Sequence, residues 1–104
     1  MKLAVYAIFD KKSIMYKTPF LAHNDDVAIR MFSSAVNGER SELSDFPEDF
    51  DLYKLASFDD ESGTYCNEPS PVIITNGAPL KMAQQLPEQI HTELGVNEDG
   101  NDQE

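Results

Sequence analysis

The chain has 104 residues, of which 8 are basic and 19 acidic, for a formal net charge of −11. That balance argues against a protein that coats nucleic acid through a broad basic surface. A lone cysteine, Cys66, excludes an intrachain disulfide and suits a reducing compartment, and no apolar stretch approaches the roughly 20 residues that span a bilayer.

The charge is unevenly spread. Residues 1–30 hold five basic and three acidic side chains, whereas residues 31–68 hold two basic and ten acidic ones. Residues 87–104 carry six acids and no Lys or Arg. A mildly basic N-terminal unit is therefore followed by an acidic loop and an acidic C-terminal stretch. The simplest partition is one domain over residues 1–86 and a disordered acidic tail over residues 87–104. The opening run MKLAVYAIFDKK has too short an apolar core and no small-residue cleavage site, so it reads as structure and not as a secretion signal.

In chain order, Lys2 to Phe9 alternates as a strand that is apolar on both faces, which predicts a central strand or one covered on its second face. Asp10 to Ser13 is a polar turn, and Ile14 to Thr18 an antiparallel partner ended by Pro19. Asn24 followed by Asp25 and Asp26 is a helix start, with a cap and two acids at the positive end of the dipole. Val27, Ala28, Met31, Phe32, Ala35 and Val36 form one broad apolar helical face, and Asn37-Gly38 is the stop. Glu39 to Asp45 reads as a polar loop, and Phe46 to Asp49 as a single helical turn with proline near its start. Residues 51–58 alternate as a strand, with Phe50, Leu52, Lys54, Ala56 and Phe58 on one side. Asp59 to Gly63 is a turn. Thr64 to Cys66 begins a return strand that Pro69-Ser70-Pro71 interrupts, and Val72 to Thr75 is a short edge strand. Asn76-Gly77 is a turn and Pro79 to Leu86 a weak helix. Hairpins grouped around one helix predict an α+β fold: a small antiparallel sheet in the order of events strand-strand-helix-strand-strand, with the main helix on one face. Its free edges make a homodimer a reasonable expectation.

Chemistry-bearing residues are few. His23 to Asp26 is explained by helix capping, and the acids of 45–61 lack the spacing of a calcium loop. Cys66 has no companion base outside His23 and His91, and no phosphate loop, catalytic triad or zinc spacing is present. The expectation is a non-enzymatic protein without cofactor or metal. The lysines are more suggestive. Lys11, Lys12 and Lys17 fall on the first hairpin with Tyr6, Tyr16 and Phe20 nearby, and Arg30 follows on the helix. Aromatics beside lysines stack bases while the lysines meet phosphates. The same lysines equally describe a solvated hairpin edge guarded against aggregation.

The segment MKLAVYAIFDKKSIMYKTPFLAHNDDVAIRMFSSAVN, followed by DFPEDFDLYKLASFDDESG, resembles the small non-structural protein of gokushoviruses, single-stranded DNA phages of the Microviridae. The signals are Tyr6, Asp10, Pro19-Phe20, Asn24-Asp25, Ala28-Ile29-Arg30, Phe32, Val36-Asn37, Pro47 to Phe50, Leu52, and Phe58-Asp59-Asp60 before Gly63. The resemblance implies a non-virion protein of the infected bacterial cytoplasm, with no membrane partner. It also implies binding to single-stranded DNA or to the replication complex, regulating viral genome synthesis or packaging. Lys11, Lys12, Lys17 and Arg30 would meet phosphates; Tyr6, Tyr16 and Phe20 would stack or pack. The alternative is a protein-interaction module whose acidic segments capture a basic host or phage replication protein.

Overall fold

The computed structural model describes residues 1–81. Strands β1 (Lys2–Asp10), β2 (Met15–Tyr16) and β3 (Phe20–Ala22) lead into helix α1 (Asp25–Val36) and a one-turn helix, α2 (Glu42–Asp45). A 3₁₀ turn at Pro47–Asp49 precedes β4 (Phe50–Asp59) and β5 (Thr64–Asn76), and residues 77–81 are helical. Every strand pair is antiparallel, in the order β2-β1-β4-β5, with β3 pairing β1 on the edge that β2 also uses. The class is α+β, and the doubly apolar β1 is central. The acidic tail expected over 87–104, and residues 82–86 of the expected domain, lie outside the described residues.

Helix α1 starts as its sequence dictates. The Oδ1 of Asn24 accepts the Val27 N–H at 2.9 Å, and Asp25 and Asp26 occupy the first turn. Ala28, Phe32 and Val36, spaced four apart, are buried against the sheet with Ala4, Tyr6, Ala22, Phe50 and Leu52. For Phe32, Val36 and Leu52 such burial contributes about 1.5–3 kcal/mol each. The helix ends without a left-handed glycine: the Asn37 side chain and backbone N–H groups both donate to Ser33 O, at 2.9 and 3.0 Å. Gly38 is required for a different reason, since a Cβ there would lie 2.8 Å from Ser34 O. Lys81 closes the helical layer by donating from Nζ to Val36 O at 3.3 Å and Ser44 O at 3.1 Å, carbonyls at the ends of α1 and α2.

Several expectations are corrected. The segment 39–45 is not all loop: the Ser41 and Ser44 hydroxyls accept each other's backbone N–H, a capping box that nucleates α2. Only Met15 and Tyr16 of the expected 14–18 strand pair with β1, and Phe20–Ala22 pairs further along it. The two expected segments after Gly63 are one strand, β5, with a register break spanning Pro69 and Pro71. The largest correction concerns β4. Val5 pairs with Ala56 but Tyr6 with Lys54, which leaves Leu55 without a partner. This bulge flips the side-chain parity of the strand. Phe50, Leu52 and Lys54 face α1, whereas Ala56 and Phe58 face the other side.

Candidate nucleic-acid interface

The sheet face opposite α1 is built by alternation and by the Leu55 bulge. Register places Leu3, Val5, Ala7 and Phe9 of β1 there, beside Tyr16, Leu21, Tyr53, Ala56, Phe58, Tyr65 and Ile73. Val5, Ala7 and Ala56 are buried by their lateral neighbours yet stand outside the helix-covered cluster. Of the larger side chains Tyr16 is 43% exposed and Tyr65 67%, whereas Phe9, Tyr53 and Phe58 are half-buried. Among the described residues no helix packs on this face.

The aromatics form two groups with a floor of small residues between them. At one end Phe9, Tyr16 and Tyr53 meet pairwise, with ring centroids 4.7, 5.7 and 6.1 Å apart. At the other, Phe58 and Tyr65 lie 5.0 Å apart. Phe9 and Leu3, whose cross-strand partners include Tyr16 and Phe58, are six residues apart on β1, or about 20 Å at strand rise. An apolar cavity of about 420 Å³ opens on the second group, lined by Val5, Pro19, Phe20, Leu21 and Tyr65.

The first group has a lysine beside it. Lys11 reaches the first, its Nζ 3.8 Å from Asp51 Oδ1, which also accepts from the Asn76 amide at 2.8 Å. Asp51 is buried and is the acid that register assigns to the open face. Lys2 lines a small cleft with Ser57, Asp59, Thr64, Tyr65 and Cys66, and register puts it with Ala4 and Tyr6 on the helical face, away from the second group. The acids of the 59–61 turn are engaged in part by the N-terminal ammonium, 2.9 Å from Asp60 and 3.4 Å from Glu61. The Asp60 hydrogen bond holds that ammonium above its usual pKa, outweighing the cost of its desolvation.

The residues singled out from the sequence do not converge. Tyr6 is fully buried; its ring stacks on Phe20 at 5.9 Å and its hydroxyl donates to Asp25 Oδ1 at 2.5 Å. Burial, and then the Asp25 carboxylate, push that hydroxyl's pKa well above its usual value. Tyr6 and Phe20 are therefore packing residues, and Tyr6 has no face left for a base. Lys17 points to the helical side, its Nζ 5.6 Å above the Phe50 ring. Lys12 lies on that side too, in a cavity of about 240 Å³ shared with Asp10, Glu42, Phe46, Asp49 and Phe50. Arg30 is exposed on α1, whose buried face is turned to the sheet. Of the original set only Lys11 and Tyr16 belong to the open face. Phe9, Tyr53, Phe58 and Tyr65 join them. The doubly apolar β1 signalled such a face, but the bulge that brings Phe58 onto it has no marker in the sequence.

Among the described residues no three His, Cys, Asp or Glu side chains gather to hold a metal ion, and no helix is long and apolar enough to cross a membrane. Neither the curated proteins nor the solved structures contain a match to the chain. The family model described as Phage ORF5 protein matches residues 3–80, which covers the described elements except for the first residue of β1 and the last of the 77–81 turn. The chain is a phage protein and belongs to the Phage ORF5 protein family.

Proposed function

We propose that this protein is a non-enzymatic phage accessory protein that binds single-stranded DNA on the open face of its sheet. In that role it regulates viral genome synthesis or packaging in the host cytoplasm. The observation that carries this reading is the pair of aromatic groups on an uncovered antiparallel sheet, with Lys11 beside the first. Unstacked bases lie on such rings for about 1–3 kcal/mol each, whatever their identity. The resemblance to the gokushovirus non-structural protein supports the same reading. The net charge of −11 is less opposed to it than it looks, because among the described residues register assigns the open face one acid, Asp51, which accepts from the Asn76 amide.

The test is fluorescence anisotropy of a labelled dT oligonucleotide against the full chain across a salt series. With Lys11 as the phosphate contact, the salt slope should be shallow, about −0.7 for one phosphate on a single strand. Lys11→Glu should weaken binding and lower the slope, whereas Lys2→Glu, on the helical face, should change neither. A full chain that leaves the oligonucleotide free at low salt defeats the proposal.

A second reading rests on the opposite side. There Phe46, 53% exposed, and Phe50 floor a cavity rimmed by three acids, Asp10, Glu42 and Asp49, and one base, Lys12. Such a site suits an arginine or lysine side chain of a basic replication protein. Nona-arginine should bind the full chain and lose affinity with Phe46→Ala; unchanged affinity would remove this reading.

A further inference from the structure

The first hairpin breaks two local rules at one point. Its turn runs from Asp10 to Ile14, closed by the Ile14 N–H donating to Asp10 O at 2.8 Å. Asp10 Oδ1 accepts the N–H groups of Lys12 at 2.9 Å and Ser13 at 3.3 Å. Desolvation would raise the Asp10 pKa; these hydrogen bonds outweigh it and hold the carboxylate below its usual range. The turn is thus well made, but it ends on Ile14 at φ +61°. That is left-handed backbone, which glycine or asparagine adopts readily and a β-branched residue resists. Nothing in the packing compensates, since Ile14 is 74% exposed and Met15 65%. A strained backbone and an exposed apolar pair at the same tip are where local rules yield to function.

The surroundings name the ligand. Lys11, Lys12 and Lys17 bracket the tip, so an anionic polymer can approach on both sides. Tyr16, the next residue after Met15, belongs to the first aromatic group of the open face. We propose, resting on the single-strand reading above, that Ile14 and Met15 form an apolar wedge. It presses on the terminal base pair where duplex meets single strand, and the single strand then runs onto the open face through Tyr16. Ile and Met are side chains that nucleic-acid-binding proteins insert against base steps, at the cost of unstacking. The ligand is therefore a junction between duplex and single strand, and not an unstructured strand alone.

The experiment uses the full chain and three probes: a dT 20-mer, a forked duplex with 2-aminopurine in its terminal pair, and anionic phosphatidylglycerol vesicles. The fork should bind about tenfold more tightly than the 20-mer and its 2-aminopurine should brighten. Ile14→Asn, which accepts the left-handed backbone, should raise the melting temperature yet bring fork affinity down to that of the 20-mer. A fork preference that survives Ile14→Asn overturns the wedge, as does equal binding of fork and 20-mer. Insertion into vesicles without fork preference assigns the tip to a membrane surface and also overturns it. Failure to bind either DNA overturns the single-strand reading along with the wedge, whereas binding of the 20-mer alone leaves that reading standing.

Discussion

The two faces of this sheet are made from the same strands and are both apolar, yet they do different work. The face under α1 is filled by Tyr6, Phe32, Val36 and Leu52, the largest fully buried side chains, and its polar atom, the Tyr6 hydroxyl, has a partner in Asp25. The opposite face keeps its small residues buried, its Tyr16 and Tyr65 open, and Phe9, Tyr53 and Phe58 half-buried. A fold needs one closed face to be stable. A second apolar face left open adds little stability and is costly to keep in water, so it is where a ligand or partner is expected.

That contrast can be broken by mutation. Phe32→Ala, on the closed face, should destabilise the protein by about 3–5 kcal/mol in urea unfolding, because a large buried ring leaves a cavity. Tyr65→Ala, on the open face, should cost less than about 1.5 kcal/mol, the worth of its contact with Phe58, while lowering single-strand affinity by about 1–3 kcal/mol. Comparable losses of stability in the two variants would erase the distinction between the faces.

Two smaller effects sharpen the picture of how the closed face is held. A Cβ at Gly77 would sit 2.5 Å from Pro47 O, so Gly77→Ala must push the 77–81 helical turn off the 3₁₀ turn. The expected loss is about 1–3 kcal/mol, read from denaturant midpoints. Tyr6→Phe removes the hydrogen bond to Asp25 and should cost about 1.5 kcal/mol at neutral pH. The folded-state pKa of Tyr6 is raised, so this contribution is complete below the ordinary tyrosine value of about 10 and is lost as pH rises above it. The variant's stability should therefore fall less steeply than the wild type's in alkaline titration.

Much of the fold was legible because its signals are local. Asn24 and the 28-32-36 spacing announce α1, and the apolar run of β1 announces a central strand. What was missed depends on partners distant in sequence. Phe20–Ala22 is too short to read as a strand and becomes one only by pairing with Ala4 to Tyr6. Ser41 and Ser44 lack the glutamate that usually betrays a capping box. For the candidate interface the lysine-aromatic hairpin was visible, but proximity in sequence was taken for proximity on a surface. Lys12 and Lys17 went to the helical side, and Tyr6 into the core.

The sequence by itself determined the α+β class, the main helix and its cap, the central strand, and the family that residues 3–80 match. Each is carried by periodicity, capping chemistry or residue order, which are properties of neighbours along the chain. Only the tertiary structure decided which side chains share a face. One unpaired residue, Leu55, reverses the parity of β4, turning Ala56 and Phe58 away from α1 and completing the aromatic surface. A bulge is settled by the competition between two strands for register, and no single strand's sequence contains that outcome.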